Sequence, residues 1–340
     1  MEHRQLGRTG VSVSTFCLGA MMFGAWGNPD HDESIRIIHA ALDAGINFID
    51  TADVYGQGES EEIVGKALAG GRRDDVILAT KFHNAMGDDP NQQGNSRRWI
   101  TRAVEDSLRR LGTDWIDLYQ VHRVDPRTDI EETLSALSDL VHQGKVRCIG
   151  TSTFPAGHIV EAQWVARDRQ LQRFVTEQPP YSILVRAVET DVLPTCSRHG
   201  MGVMSYSPLT GGWLSGRWRK NTGQQSSSRA SRLPERFDLA NPFNQRKLDA
   251  VEELAQLADQ TGITLIQLAI AFVLNHPAIT AALIGPRTME QLESQLTAAD
   301  VVLDAAVLDR IDEIVAPGTT LNPADNSFNN PALEPAARRR

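Results

Sequence analysis

Four residues of this 340-residue chain could together move a proton: Asp50, Tyr55, Lys81 and His122. A phenol has a pKa of about 10 and is a poor acid at neutral pH. An adjacent ammonium favours phenolate, so Lys81 is expected to lower the pKa of Tyr55. Asp50 would hold Lys81 in place and charged, and His122 could hydrogen-bond the same oxygen that Tyr55 protonates. Such a set is a general acid aimed at a carbonyl oxygen. It lacks a nucleophile, a metal cage and a water-activating carboxylate pair, so hydrolysis fits poorly. Hydride transfer with protonation of the developing alkoxide fits well. Each residue alone has an ordinary explanation: a surface phenol, a solvated lysine, a structural histidine. Only their joint placement at successive strand ends carries the argument.

The elements that must place them are readable. An opening hairpin pairs Arg4-Gln5-Leu6 with Val11-Ser12-Val13 around a turn from Gly7 to Gly10. Eight strand candidates follow: Thr15–Leu18, Asn47–Asp50, Val76–Lys81, Ile116–Val121, Val146–Thr151, Phe174–Glu177, Val203–Tyr206 and Ala281–Ile284. Amphipathic runs lie between them. Ser60–Ala69 reads as a helix capped by Ser60. Ser96–Leu111, Glu131–Gln143, Val160–Arg169 and Val188–His199 follow, then the pair Arg246–Thr261 and Leu265–His276, then Glu290–Ala298 and Ala305–Val315. Regular strand–helix alternation predicts a parallel sheet with helices outside. Eight such units predict a closed (β/α)8 TIM barrel, an α/β fold, carrying the N-terminal β-hairpin and extra helices. An open dinucleotide-binding sheet would show G-x-G-x-x-G after an early strand, and none occurs. In such a barrel reactive groups sit at the C-terminal ends of strands, where Asp50, Lys81, His122, Ser152, Gln178 and Tyr206 fall.

Composition narrows the class. Hydrophobic residues at 41% and charged residues at 23% are ordinary globular values, which excludes collagen-like, disordered and disulfide-scaffold chains. Net charge is −9, which speaks against broad contact with nucleic acid or an acidic membrane. Cys17, Cys148 and Cys196 are scattered and read as buried small residues, with no metal site expected. The polar start from Met1 to Gly10 is no signal peptide, and no apolar run approaches the ~20 residues of a membrane span. A cytoplasmic protein is expected. Residues 1–320 are expected to form one barrel domain, with 321–340 as a tail or lid. The stretch Asn221–Ser231 (NTGQQSSSRAS) is too polar to bury and reads as a mobile loop. Trp115 and Trp164 read as packing residues.

Several blocks, in order, give the chain a clear resemblance. They are Gly45-Ile46-Asn47-Phe48-Ile49-Asp50-Thr51-Ala52-Asp53-Val54-Tyr55-Gly56, Gly58-Glu59-Ser60-Glu61, Thr80-Lys81, Asp117-Leu118-Tyr119-Gln120-Val121-His122, Ser205-Tyr206-Ser207-Pro208-Leu209 and Ile284-Gly285-Pro286-Arg287 with Gln291-Leu292. The sequence resembles the aldo-keto reductases over nearly its whole length. That resemblance implies a carbonyl reductase, or the same enzyme run as an alcohol dehydrogenase, with the tetrad Asp50, Tyr55, Lys81 and His122. It implies an extended nicotinamide cofactor across the barrel mouth. Tyr206 would stack on the nicotinamide, and Ser152, Thr153 and Gln178 would hold its carboxamide. Gly19 and Met21 would border the cofactor. Ser207, Pro208, Leu209, Gly211 and Arg217 would line the pyrophosphate. Gly285, Arg287, Gln291 and Gln295 would grip the adenosine 2′-phosphate, favouring NADPH/NADP+ over NADH. Two departures stand out. The usual Ser-Asn after strand five is Ser152-Thr153 here, and Ser294-Gln295 replaces the more common Glu-Asn.

Phe23, Trp26, His83 and Trp213 lie in rim loops and are candidates to wall an apolar pocket for a small carbonyl or alcohol substrate. Barrels of this family also serve as channel-associated, cofactor-binding subunits with slow catalysis, or as redox sensors. The intact tetrad leaves that alternative open, and the lack of a docking extension before Met1-Glu2-His3 counts against it.

Overall fold

The computed structural model describes residues 1–220, 222, 228–328 and 335–338. Strands β1 (His3–Gln5) and β2 (Ser12–Ser14) form the antiparallel hairpin. The remaining strands are β3 (Phe16–Gly19), β4 (Phe48–Asp50), β5 (Ile77–Phe82), β6 (Ile116–Val121), β7 (Val146–Ser152), β8 (Thr176–Gln178), β9 (Gly202–Ser205) and β10 (Ala281–Ile284). All eight pair in parallel and close into a barrel, with β10 returning to β3. Helices α1 (His31–Asp43), α2 (Glu59–Leu68), α3 (Arg97–Leu111), α4 (Ile130–His142), α5 (Ala156–Asp168) and α6 (Val192–His199) connect successive strands. Helices α7 (Ser228–Arg232), α8 (Pro242–Thr261) and α9 (Leu265–Asn275) come between β9 and β10. Helices α10 (Met289–Leu296), α11 (Ala305–Ile314) and α12 (Pro335–Arg338) complete the chain. The (β/α)8 architecture with its N-terminal hairpin is the one the sequence predicts. Among the described residues no single helix is long and apolar enough to cross a membrane.

The barrel interior is layered. Leu6 and Val13 of the hairpin plug its lower end beneath Cys17, Phe48, Ala79, Leu118, Met204 and Ala281. The larger apolar core lies between strands and helices. A polar layer sits above the inner apolar one and is described with the site.

Several local readings change. Ser60 does not cap α2. Gly58 does, at φ 99°, where a Cβ would come within 2.5 Å of the Arg110 side chain. Ser60 Oγ instead donates to Ala20 O (2.8 Å) and bonds Thr51 Oγ1 (2.9 Å), tying α2 to the ends of β3 and β4. Trp164 is 64% exposed on α5 rather than packed, and Cys148 is half-buried. Of the expected loop 221–231, residues 221 and 223–227 lie outside the described residues, while 228–232 form α7. Of the C-terminal stretch, 329–334 and 339–340 also lie outside them.

The described start of that stretch is anchored. Leu321 N donates to Leu184 O (3.1 Å), and Asn322 Nδ2 donates to Glu235 O (2.9 Å) and Asn244 Oδ1 (2.8 Å). Asp325 accepts from Lys247 Nζ at 2.9 Å, and Lys247 is wholly buried. The same ammonium lies 4.5 Å from the Trp213 ring centre, and Trp213 stacks on Trp218 at 4.2 Å and on Phe237 at 6.1 Å. Residues 321–328 and the loop after β9 therefore share one buried cation. Breaking one side of a buried ion pair strands the other charge. Asp325→Ala is expected to lower stability by about 3 kcal/mol in urea unfolding and to speed hydrogen exchange at the Leu321 amide. An unchanged midpoint and exchange rate would show that the pair anchors nothing.

Candidate functional site

Strand alternation aims every second side chain inward. At the C-terminal ends of β4, β5, β6 and β8 those inward residues are Asp50, Lys81, Gln120 and Gln178, all buried. Lys81 Nζ donates to Asp50 Oδ2, to Thr51 O (3.0 Å) and to Tyr55 Oη (3.4 Å). An ammonium has three hydrogens, and all three are used. Asp50 Oδ1 accepts from Gln120 Nε2 and Gln178 Nε2, both at 2.9 Å, and Gln178 Nε2 also approaches Gln120 Oε1 at 3.3 Å. The carboxylate is thus held on both oxygens.

Tyr55 follows β4 and His122 follows β6. Their rings meet edge to face at 5.9 Å. Because Tyr55 Oη accepts from Lys81, its own hydrogen remains for another acceptor. Burial is the largest influence on that phenol and raises its pKa; Lys81 pulls it down but does not win. This corrects the expectation of a lowered value. Leaving water costs the phenolate more than Lys81 returns, so Tyr55 holds its proton more firmly than a free phenol does. Burial also works against the Lys81 ammonium, but Asp50 and Tyr55 outweigh it and its pKa is raised. His122 is pushed well below the ordinary histidine value by burial and then by the Lys81 and Arg123 cations, so its imidazole is neutral.

The loops around this centre are pinned. Glu59 Oε2 accepts from Ala25 N (2.7 Å) and Glu59 Oε1 bonds His31 Nε2 (2.7 Å), which fixes the loop after β3. That loop carries Trp26, whose ring centre is 5.9 Å from that of Tyr55. The Arg232 guanidinium of α7 lies 5.7 Å from the centre of the same Trp26 ring. Buried Glu61 accepts from Arg110 Nε (2.6 Å) and Thr80 Oγ1 (2.6 Å), locking α2 and α3 to the residue before Lys81.

Of the residues expected to border a cofactor, one group gathers beside His122. Ser152 ends β7 and Thr153 follows it, and Thr153 Oγ1 is 3.2 Å from Tyr206 Oη. Arg123 Nη1 donates to Thr153 Oγ1 (3.2 Å) and His122 O (2.6 Å), and reaches Ser152 Oγ at 3.5 Å. Gln178 stands next to them, but its amide nitrogen is committed to the barrel interior. A second group lies where β3 adjoins β10. Gly19 and Met21 lead into the first loop, and Asn28 of that loop donates to Arg287 O at 3.0 Å. Arg287 N donates to Gln291 Oε1 (2.9 Å), so that amide caps its own turn, and Gln295 is buried on the same helix, α10. Gly285 is exposed. The third group is the turn after β9: Ser207 and Gly211 have positive φ, Pro208 is buried, and Arg217 is exposed. Among the described residues the guanidinium groups of Arg217 and Arg287 have no protein partner.

Two of the four candidate wall residues are elsewhere. Phe23 is 1% exposed and belongs to the outer core. Trp213 is fully buried in its aromatic stack, with Nε1 donating to Arg236 O (3.1 Å). Neither can meet a substrate, because neighbours distant in sequence cover both. Trp26 and His83 remain at the rim. His83 Nδ1 bonds Asn95 Oδ1 at 2.9 Å. Sequence reasoning missed Gln120, Asn84 and Arg123. Gln120 had a signal, since Leu118, Gln120 and His122 share one face of β6.

Thr153 adopts φ 57°, a left-handed conformation that a β-branched residue rarely takes and that asparagine tolerates better. Glu177 supports it: its carboxyl accepts from Phe154 N (3.1 Å) and Thr151 Oγ1 (2.5 Å). Burial raises the pKa of Glu177 to about 7, against 4.5 in an unfolded chain, while those hydrogen bonds offset part of the rise. The folded protein therefore holds a proton that the unfolded chain has lost. The associated stability is present below about pH 4.5 and is lost as pH rises through about 7, on the order of 3 kcal/mol. Glu177→Gln should flatten that slope in urea unfolding between about pH 5 and 8. A slope identical to that of the native protein would show that another group sets it.

The chain belongs to the aldo/keto reductase family, whose sequence pattern it matches over residues 15–316. It is 41% identical to an uncharacterized oxidoreductase of Bacillus subtilis, YrpG, over 92% of this chain and 96% of that one. It is 37% identical to the aldo-keto reductase YhdN of the same organism, over 98% and 94%. It is also 37% identical to a probable voltage-gated potassium channel subunit beta of Arabidopsis thaliana, over 93% and 97%. The protein is an NAD(P)H-dependent oxidoreductase, and carbonyl reduction is the general chemistry of the group.

Proposed function

We propose that the protein reduces an aldehyde or ketone to an alcohol with NADPH, and that Tyr55 is the proton donor. The observation that carries this is the Lys81–Tyr55 hydrogen bond, which points the phenol's own hydrogen away from the lysine. Bound at the mouth, the nicotinamide supplies the hydride. Tyr55 protonates the oxygen as it gains charge, and His122 orients that oxygen. Asp50 holds Lys81, and Gln120 and Gln178 hold Asp50. A phenol that keeps its proton suits reduction; alcohol oxidation needs the same group deprotonated and should therefore gain with rising pH.

The donor set fits such a cofactor. Ser152, Thr153, Gln178 and Tyr206 form one polar patch beside the tetrad. Arg217 and Arg287 offer guanidinium groups without a partner among the described residues at two further points of the rim, as an anionic ligand requires in a chain of net charge −9. Arg287 with Gln291 and Gln295 is assigned to the 2′-phosphate. Trp26 and His83 border the substrate. Residues 1–320 form the catalytic unit, and 321–328 are tied to it through Asn322 and the Asp325–Lys247 pair.

Tyr55→Phe should lower kcat about 10²- to 10⁴-fold with NADPH affinity retained, measured as absorbance loss of NADPH with a panel of aldehydes and ketones. Unchanged kcat would refute the proton-donor role. Arg287→Ala should weaken NADPH by about tenfold or more, a loss near 1.4 kcal/mol, and leave NADH nearly unaffected in titrations of cofactor fluorescence. Equal losses would place the 2′-phosphate elsewhere.

A second reading, a cofactor-binding regulatory subunit or redox sensor with slow catalysis, is kept because of the likeness to a chain named as a probable potassium channel subunit beta. Tight NADPH binding with no carbonyl reduced would favour it.

A further inference from the structure

His122 is a useful donor to a carbonyl oxygen only if its hydrogen is on the nitrogen that faces the mouth. A neutral imidazole carries one N–H, and the partner of the other nitrogen decides which. Among the described residues the only side-chain hydrogen-bond partner of the His122 ring is Asn84, whose Nδ2 lies 3.0 Å from Nδ1. With the Asn84 amide turned this way its nitrogen donates, which makes Nδ1 the acceptor and leaves the hydrogen to Nε2.

The placement of Asn84 is built. It follows β5 by two residues, and the intervening His83 has φ 136°, a conformation an L-residue rarely adopts. Three contacts hold that turn. Gly94 N donates to His83 O (2.7 Å), Asn95 Oδ1 bonds His83 Nδ1, and Asn95 Nδ2 donates to Arg123 O (3.0 Å). Asn95 is itself buried and takes Asp125 Oδ2 on its backbone amide at 3.1 Å. His122 N in turn donates to Phe82 O (3.0 Å). The turn that presents Asn84 and the strand end that presents His122 are thus one hydrogen-bonded unit.

We propose that Asn84 is a positioning residue that selects the Nε2–H tautomer of His122 and so makes it a hydrogen-bond donor to the substrate oxygen. The proposal rests on the carbonyl-reduction reading for its consequence, but not for its chemistry. The charged and titratable groups around the ring are Lys81 from β5, Arg123 next to it in the chain, His83, and Tyr55 from the loop after β4. The cations and burial keep the ring neutral, which is the state in which tautomer choice matters.

Asn84→Asp reverses the choice, because a carboxylate accepts from Nδ1–H. The first readout is the protonation state of each ring nitrogen, from long-range ¹H–¹⁵N correlation spectra of histidine-labelled protein, with the His122 signals identified by their absence in His122→Gln. The native protein should show Nδ1 bare and Nε2 protonated; Asn84→Asp should show Nδ1 protonated. A protonated Nδ1 in the native protein, or a bare one in Asn84→Asp, overturns the proposal. This measurement needs no substrate, so it stands or falls separately from the reductase reading. The second readout is kcat against pH with NADPH and an aldehyde. In Asn84→Asp an imidazolium at low pH still donates from Nε2, but the neutral ring at high pH does not. Its kcat should fall at least about tenfold from pH 6 to 9 relative to the native profile. Parallel profiles for native and Asn84→Asp would overturn the functional half.

Discussion

The fully buried Lys81 ammonium organises the active end of the barrel. An ion in that position is costly unless every hydrogen finds an acceptor. Asp50, Thr51 O and Tyr55 Oη provide three, drawn from the end of β4 and the loop that follows it. The need propagates outward. Asp50 needs donors on its second oxygen, which fixes the amides of Gln120 and Gln178. Tyr55 must stay beside the lysine, which requires the turn of Gly56–Gly58 to lead into α2 in one direction only. Glu61, Arg110 and Thr80 brace that helix against β5.

This polar layer sits above an apolar one that the N-terminal hairpin closes from below. The barrel thus has one end built for stability and the other for chemistry, as this architecture usually divides them. Chain segments remote from the tetrad join the same end through long-range contacts. Asp325 reaches the loop after β9 through Lys247 and Trp213, and α7 reaches the first loop through Arg232 and Trp26. The segments around the mouth are therefore coupled to each other rather than independently placed.

The barrel was legible because its strands are short apolar runs bounded by polar turns, and the four tetrad residues were legible because they end such runs. Gln120 was also within reach, since it alternates with Leu118 and His122. Asn84 was not: its position depends on the unusual backbone of His83 and on Asn95, which no local pattern marks. Phe23 and Trp213 were misplaced for the same reason in reverse. Loop aromatics look like a binding wall until Trp218, Phe237 and Lys247 are seen to bury one of them. The direction of the Tyr55 shift also escaped the sequence, because burial is a property of the whole mouth and outweighs the single lysine that the motif displays.

The central claim is that Lys81-supported Tyr55 gives its proton to a carbonyl oxygen whose carbon takes the hydride of a nicotinamide cofactor. It is tested most directly by isotope tracing. The enzyme is given NADPH carrying deuterium at the transferable C4 position and an aldehyde such as 4-nitrobenzaldehyde, and the alcohol is examined by NMR. Deuterium on the carbinol carbon, formed by the native protein and nearly absent with Tyr55→Phe, is the predicted result. An alcohol without deuterium, or equal labelling by both proteins at equal rates, would contradict the account.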